Sequence, residues 1–427
     1  MHQVFLRSDI MRKTNLSSIF IASFSISLFV VGFLCACNQI GEGHTPRTKA
    51  PSELSYAQTS MKKFATIDIE REVAFNTGVN DGDEASIKSS YKIAHHEITR
   101  ELWAHVYEWA TNSADRGRGT YQFSKMAQIG HVTSNKEQAM SNITFMDAVV
   151  WCNAYTEYLN FVHKDDKQWT SLVPVYYASS NEARDAFAEF ARTNEDKRRA
   201  KYSELLLPHV LRVSGEPTLS KTGMEFNEFY LFNGYRLPTA QEWEFASRLT
   251  RTSSASYNPA KTVQVNGISY HIAKGVCLSG SAYSHDDASP LAIEANKKVA
   301  TNFERLRQGP LPNAETPPSV ASKTANDIGC FDMSGGVWEW TLPDVDRHIV
   351  LKKSGTVFVL DDDYPNHSRN TEGLGRRKGG SYLSTKTEEY AVGFVGKFPM
   401  KSDDKQKEKW QKKDIGFRLA KTMKNFF

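Results

Sequence analysis

Asn233-Gly234-Tyr235-Arg236-Leu237-Pro238-Thr239-Ala240-Gln241-Glu242-Trp243-Glu244-Phe245-Ala246 reads as an extended run stopped by a proline and reopened as a helix. Pro238 biases the residue before it away from helical backbone. Thr239 with Glu242 three residues on is a capping box, and Trp243, Ala246 and Leu249 follow at helical spacing. Arg236 closes the extended run while Glu242 and Glu244 open the helix. A planar guanidinium placed there pins strand to helix through a carboxylate.

The same grammar recurs on both sides. Thr99 precedes Glu101, Leu102, Trp103, Val106, Tyr107 and Ala110, an N-cap followed by an apolar helical face. Thr144-Phe145-Met146-Asp147 is a capping-box variant ahead of Ala148, Trp151, Cys152, Tyr155 and Leu159. A further helix is expected from about Glu182 to Arg192, capped by Ser179, because Ala183, Phe187, Phe190 and Ala191 share one face. Phe75-Asn76-Thr77-Gly78 reads as a strand closing on a turn. Gly329 to Trp340 is a glycine-punctuated aromatic run. Lys378-Gly379-Gly380-Ser381-Tyr382-Leu383 and Ile415-Gly416-Phe417-Arg418-Leu419-Ala420 read as strands with glycines where backbones approach closely. Trp243, Trp338 and Trp340 are expected as core pillars whose indole N–H groups need partners. Polar segments at about 161–180, 250–326, 341–376 and 398–413 are expected as long turns.

The composition of the 427 residues is that of a folded chain: 40% apolar, 11% aromatic and 24% charged, which excludes wholesale disorder. The formal net charge of +4 is spread rather than concentrated, so no nucleic-acid partner is implied. Residues 1–36 read as an export leader. Arg7, Arg12 and Lys13 precede an apolar stretch from Ile19 to Leu34 that is short for a membrane span. Leu34-Cys35-Ala36-Cys37 resembles the bacterial lipobox, which makes Cys37 the lipidated N-terminus. Several acyl chains give durable anchoring where one gives marginal binding. An uncleaved transmembrane anchor is the alternative. Residues 37–63, polar and carrying Pro46 and Pro51, form the tether. The remaining Cys152, Cys277 and Cys330 match no zinc spacing, and whether any two form a disulfide is open. Cys152 and Cys330 are expected as buried thiols.

Six segments in one order resemble the formylglycine-generating enzyme (sulfatase-modifying factor) family, a variant of the C-type-lectin-like fold. They are His96-Glu97-Ile98-Thr99, Ile143 to Ala148 with Trp151-Cys152-Asn153, Asn233 to Ala246, Asp332 to Trp340, Lys378 to Leu383, and Gly416-Phe417-Arg418-Leu419. The resemblance implies one α+β domain over 64–427, with a modest antiparallel sheet, much irregular structure and insertions near 161–230, 250–326, 341–376 and 398–413. It also implies a calcium ion at the aromatic turn, with Glu339 as ligand and carbonyls near Gly335 and Val337 contributing, against the alternative of a purely structural Glu339. The family's usual Asn before Val-Trp-Glu-Trp is here Gly336, so one oxygen ligand is lost or comes from elsewhere.

In the family's enzymes two cysteines after Lys/Arg-Gly-Gly-Ser bind copper, and soft copper(I) favours thiolates. Aligned from Lys378 without gaps, those positions are Ser384 and Glu389. Neither is a soft donor, so no catalytic residue is assigned. His95-His96-Glu97 is the nearest histidine cluster, and Gly215-Glu216-Pro217-Thr218 is a faint echo of a lectin sugar triplet. Other members of the fold are non-catalytic lipoproteins that carry ligand contacts between Gly-Gly-Ser and Gly-Phe-Arg. Here that interval holds Lys386, Glu388, Glu389, Lys401, Asp403, Asp404, Lys405, Lys407, Lys409, Trp410, Lys412 and Lys413, which read either as contacts for a charged partner or as a solvated insertion. The expected function is a cell-envelope lipoprotein, on the periplasmic face or cell surface, whose domain binds a protein or glycan. The alternative is a metal-dependent oxidase or modifying enzyme with a relocated site.

Overall fold

The computed structural model describes residues 64–112, 121–124, 127, 135–177, 181–193, 197–214, 232–251, 257–308, 316–342, 351–354, 357–360, 374–399 and 413–425. The leader, Cys37, the tether, Ser179 and Gly215–Thr218 lie outside the described residues.

The helices start where their caps are written. Thr99 Oγ1 accepts from Leu102 N–H and opens α1 (Arg100–Thr111). Thr144 and Asp147 exchange both arms of a capping box at the head of α2 (Phe145–Val162). Next comes α3 (Asn181–Arg192), one residue earlier than expected. Thr239 and Glu242 form the second full capping box, heading α4 (Ala240–Arg248). Nearly every residue of α2 is buried, including Trp151 and Cys152, which fits a helix apolar on almost all sides. Trp151 stacks on Trp103 of α1 at 5.6 Å and on Tyr155 at 5.2 Å, and Phe417 meets it edge-on at 5.5 Å. This aromatic column is the centre of the larger core.

Short sheets surround these helices. β1 (Phe64–Ile67), β4 (Ser89–Ala94) and β14 (Ala420–Asn425) form an antiparallel sheet in the order β1-β4-β14, joining the first and last described strands. β2 (Val73–Thr77) and β3 (Asp83–Ile87) pair beside them. The stretch from 250 to 326 departs from expectation. It carries β5 (Leu249–Thr250), β6 (Tyr257–Val265) and β7 (Ile268–Ala273), in the order β5-β7-β6, then α5 (Pro290–Val299) and α6 (Phe303–Gln308). Local chemistry explains both departures from a turn-only reading. Asn266 (φ 54°) and Gly267 (φ 71°) supply the two left-handed residues of a tight hairpin. Ser289 caps α5 and Pro290 occupies its first turn.

The sheet that matters for the site has the order β12-β11-β8-β13: β12 (Gly396–Pro399), β11 (Leu374–Lys378), β8 (Trp338–Thr341) and β13 (Ile415–Gly416). β9 (Leu351–Ser354) and β10 (Val357–Leu360) pair as a hairpin inside the expected insertion 341–376. Trp338 and Trp340 sit in the larger core with α1 and α2. Trp243 sits in a second core with β1, β4 and the Asn266-Gly267 hairpin. The arrangement is α+β with much irregular backbone, and all described residues belong to one compact unit. Among the described residues no helix is long and apolar enough to cross a membrane.

Candidate functional site

Three of the six motif segments converge on one residue of β8. Lys378 of β11 and Gly416 of β13 are both register partners of Glu339. Glu339 is fully buried. Its Oε1 accepts from Arg418 Nη2 at 2.7 Å, and its Oε2 accepts from Arg418 Nε at 2.6 Å and from Trp243 Nε1 at 2.9 Å. Burial works against the charge on Arg418, and Glu339 outweighs it, so the guanidinium stays protonated. Arg418 also donates to the carbonyls of Ala94, His95 and Phe331. One ion pair therefore ties β8, the aromatic turn and the end of β4 to the Gly-Phe-Arg segment.

A calcium ion at Glu339 fits poorly, because three N–H donors already take its carboxylate. The oxygen chemistry at the turn lies beside it. Gly336 (φ 66°) has no side chain, and the space a Cβ would fill is taken by Glu97 Oε1, 2.1 Å away. Glu97 Oε1 also accepts from Val337 N–H at 3.3 Å. Asp332 Oδ2 accepts from Ala321 N–H. Glu97 Oε2 and Asp332 Oδ1 are buried without a hydrogen-bond partner. Burial and then the neighbouring Asp332 and Glu339 push Glu97 well above the usual carboxylate range. Burial first pushes Asp332 up to about 6. A hard cation at this turn would be held by those two unpartnered oxygens, which sequence reasoning did not assign. No group of three or more His, Cys, Asp or Glu side chains suited to a metal is present among the described residues.

The positions aligned with the copper cysteines are occupied by oxygen chemistry of a local kind. Ser384 is buried and its Oγ accepts from Ser381 N–H at 2.9 Å. Glu389 Oε2 accepts from Thr385 N–H at 3.0 Å. Ser381 Oγ–H donates to Asp414 Oδ2, and Tyr390 O–H donates to Ser381 O at 3.0 Å. Asp414 Oδ1 and the Tyr382 hydroxyl are buried and unpartnered. Burial, then Asp414, pushes the Tyr382 hydroxyl up to about 12. The Arg377 guanidinium lies 4.2 Å over the Trp338 ring. Residues from the Lys378–Leu383 segment, β8 and the head of β13 are thus drawn together, as the order of the motifs implied. Asp414 gave no signal in the sequence beyond its place before Ile415-Gly416.

The sulfur is elsewhere. Cys152, Cys277 and Cys330 are buried thiols outside any disulfide, in three separate surroundings. Burial pushes the Cys152 thiol far up, Cys277 to about 11 and Cys330 to about 12. Thiols so held are packing groups rather than nucleophiles. Arg236 meets its expectation: its two Nη groups donate to the two Glu242 oxygens at 2.6 and 2.7 Å. Glu244 turns instead to Lys378 at 2.8 Å and Arg248 at 2.6 Å. His96 Nδ1 faces its neighbour's carbonyl, Glu97 O, at 2.7 Å. Of the charged interval after Gly-Gly-Ser, Lys401, Asp403, Asp404, Lys405, Lys407, Lys409, Trp410 and Lys412 lie outside the described residues.

No curated protein matches the chain. Among solved structures, CarF is 18% identical, with a TM-score of 0.44 over 84% of this chain and 98% of that one. The Treponema denticola variable protein 1 is 18% identical, with a TM-score of 0.43 over 84% and 95%. PvdO from Pseudomonas aeruginosa is 11% identical, with a TM-score of 0.38 over 84% and 94%. The sulfatase-modifying factor enzyme 1-like domain family model matches residues 74–423. That span takes in all but the first and last few residues of the described domain, together with all six motif segments; the chain belongs to the sulfatase-modifying factor enzyme 1-like family.

Proposed function

We propose that this chain is a bacterial cell-envelope lipoprotein whose family domain binds a protein or glycan without catalysing the family's oxidation. One observation carries the reading: Ser384 and Glu389, at the copper-cysteine positions, are an alcohol and a carboxylate already bonded to the local backbone. Copper(I) favours thiolates, and the cysteines among the described residues are buried in three other places. The unpartnered Tyr382 hydroxyl and Asp414 Oδ1 suit recognition. A donor from a ligand satisfies the carboxylate, and an acceptor satisfies the phenol, which costs less than leaving either buried alone. We assign any calcium at the aromatic turn to Glu97 and Asp332, with Glu339 anchoring the fold.

The full chain, extracted in detergent and supplied with copper, dioxygen and a cysteine-containing sulfatase peptide, is expected to give no aldehyde product by mass spectrometry. Turnover overturns the proposal, as does stoichiometric copper or iron in protein purified without chelator. The anchor has its own test. Cys37→Ser is expected to move the protein from the membrane to the soluble fraction. A variant that stays in the membrane with its leader uncleaved returns the leader to the transmembrane reading.

A further inference from the structure

We propose that Lys92 and Lys421 form a binding site for a phosphate group, held between two ammonium groups on the outer face of the β1-β4-β14 sheet. The register places Thr66, Lys92 and Lys421 in one row across the three strands. The rows on either side, Ala65-Ile93-Ala420 and Ile67-Tyr91-Thr422, point into the core. The two lysines are thus directly opposed on adjacent antiparallel strands, an arrangement that repels and destabilises unless something neutralises it.

Neither lysine is paired with a carboxylate among the described residues. Asp68, two positions beyond Thr66 on the same face, instead accepts from Ser90 Oγ at 2.8 Å. The floor of the site is aromatic and fixed. Lys421 Nζ lies 5.3 Å over the Tyr235 ring, and that ring is braced by Phe64 at 5.5 Å and Tyr155 at 4.9 Å. Burial, and then Lys92, pushes the Lys421 ammonium down to about 8. Two ammonium groups from one cross-strand row, each with rotatable donors, suit a compact dianion with several oxygens, and lysine is a phosphate binder of this kind. A single carboxylate leaves one charge unmatched. A free phosphate monoester and the phosphomonoester headgroup of phosphatidic acid share the chemistry, and Phe64 of the same sheet follows directly on the tether.

The test uses the full chain in a non-ionic, phosphate-free detergent. Acetylation of Lys421 by acetic anhydride is followed by peptide mass spectrometry at constant ionic strength. Inorganic phosphate is expected to slow Lys421 acetylation and raise the melting temperature, where chloride does neither. Lys92→Gln and Lys421→Gln are each expected to weaken the phosphate response by about tenfold, the loss of one charge-assisted hydrogen bond. Protection by phosphatidic acid vesicles but not by inorganic phosphate assigns the site to a headgroup; the reverse assigns it to a free ester. If wild type is protected by neither, or if both variants respond to phosphate as wild type does, the site does not exist. The wild-type labelling arm decides the matter even where a variant folds poorly.

Discussion

Glu339→Ala is expected to lower the melting temperature by roughly 5–10 °C, the equivalent of about 3–5 kcal/mol. The mechanism is the charge left behind rather than the contact removed. Arg418 is fully buried, and the Glu339 carboxylate takes its fork with two bonds of 2.6 and 2.7 Å. Truncation strands that guanidinium and frees the Trp243 indole N–H as well. Glu339→Gln keeps one acceptor and the shape, so it is expected to cost less. The double variant Glu339→Leu with Arg418→Met removes both charges, and replacing a buried pair costs less than breaking one. It is therefore expected to lie above Glu339→Ala in melting temperature, which a thermal-melt double-mutant cycle reads directly. If the double variant is the least stable of the set, the pair is not what holds the segments together. Calcium separates the two roles at the turn. A calcium-dependent rise in melting temperature, of the kind expected from a ligand that binds only the folded state, should be lost in Glu97→Gln and retained in Glu339→Gln. The opposite pattern returns the ion to Glu339.

What was legible in the sequence is what is local. Thr239-Glu242, Thr144-Asp147 and Thr99 are four-residue devices, and each caps its helix as written. Arg236 and Glu242 are six residues apart across one proline, and their clamp follows from that spacing. A structural Glu339 was legible, but not its partners, because Trp243 and Arg418 are 96 and 79 residues away. Glu97 was hidden for the same reason: it reaches Val337 across 240 residues. The stretch from 250 to 326 is a different kind of miss. Its signals, Asn266-Gly267 and Ser289-Pro290, were local and present in the sequence, but polar flanking residues masked the alternation of Val263, Val265, Ile268 and Tyr270. Asp414 and Tyr382 show the limit of pattern reading. Nothing about an isolated Asp or Tyr says that it will be buried with an oxygen unpartnered; only the meeting of β8, β11 and β13 does.

Gly336→Ala is expected to destabilise the domain by about 2–4 kcal/mol, and the reason bears on what replaced the family's Asn at this position. Two costs add. The backbone at Gly336 has φ 66°, where alanine is strained by about 1–2 kcal/mol. A new Cβ would also lie 2.1 Å from Glu97 Oε1, so the carboxylate must leave a buried position and give up Val337 N–H. Gly336→Asn separates these costs, because Asn tolerates left-handed backbone and brings an oxygen of its own. In the wild-type background it still collides with Glu97 and is expected to destabilise. In a Glu97→Ala background the same Asn has room, and its amide oxygen can take the Val337 N–H that Glu97 held. The double variant is therefore expected to be more stable than either single one, a coupling that thermal or urea unfolding measures as a departure from additivity. That outcome means Glu97 is the substitute oxygen, supplied from the end of β4 in place of a side chain on the turn itself. If Gly336→Asn costs the same with and without Glu97, the two positions are independent and the glycine serves only the backbone turn.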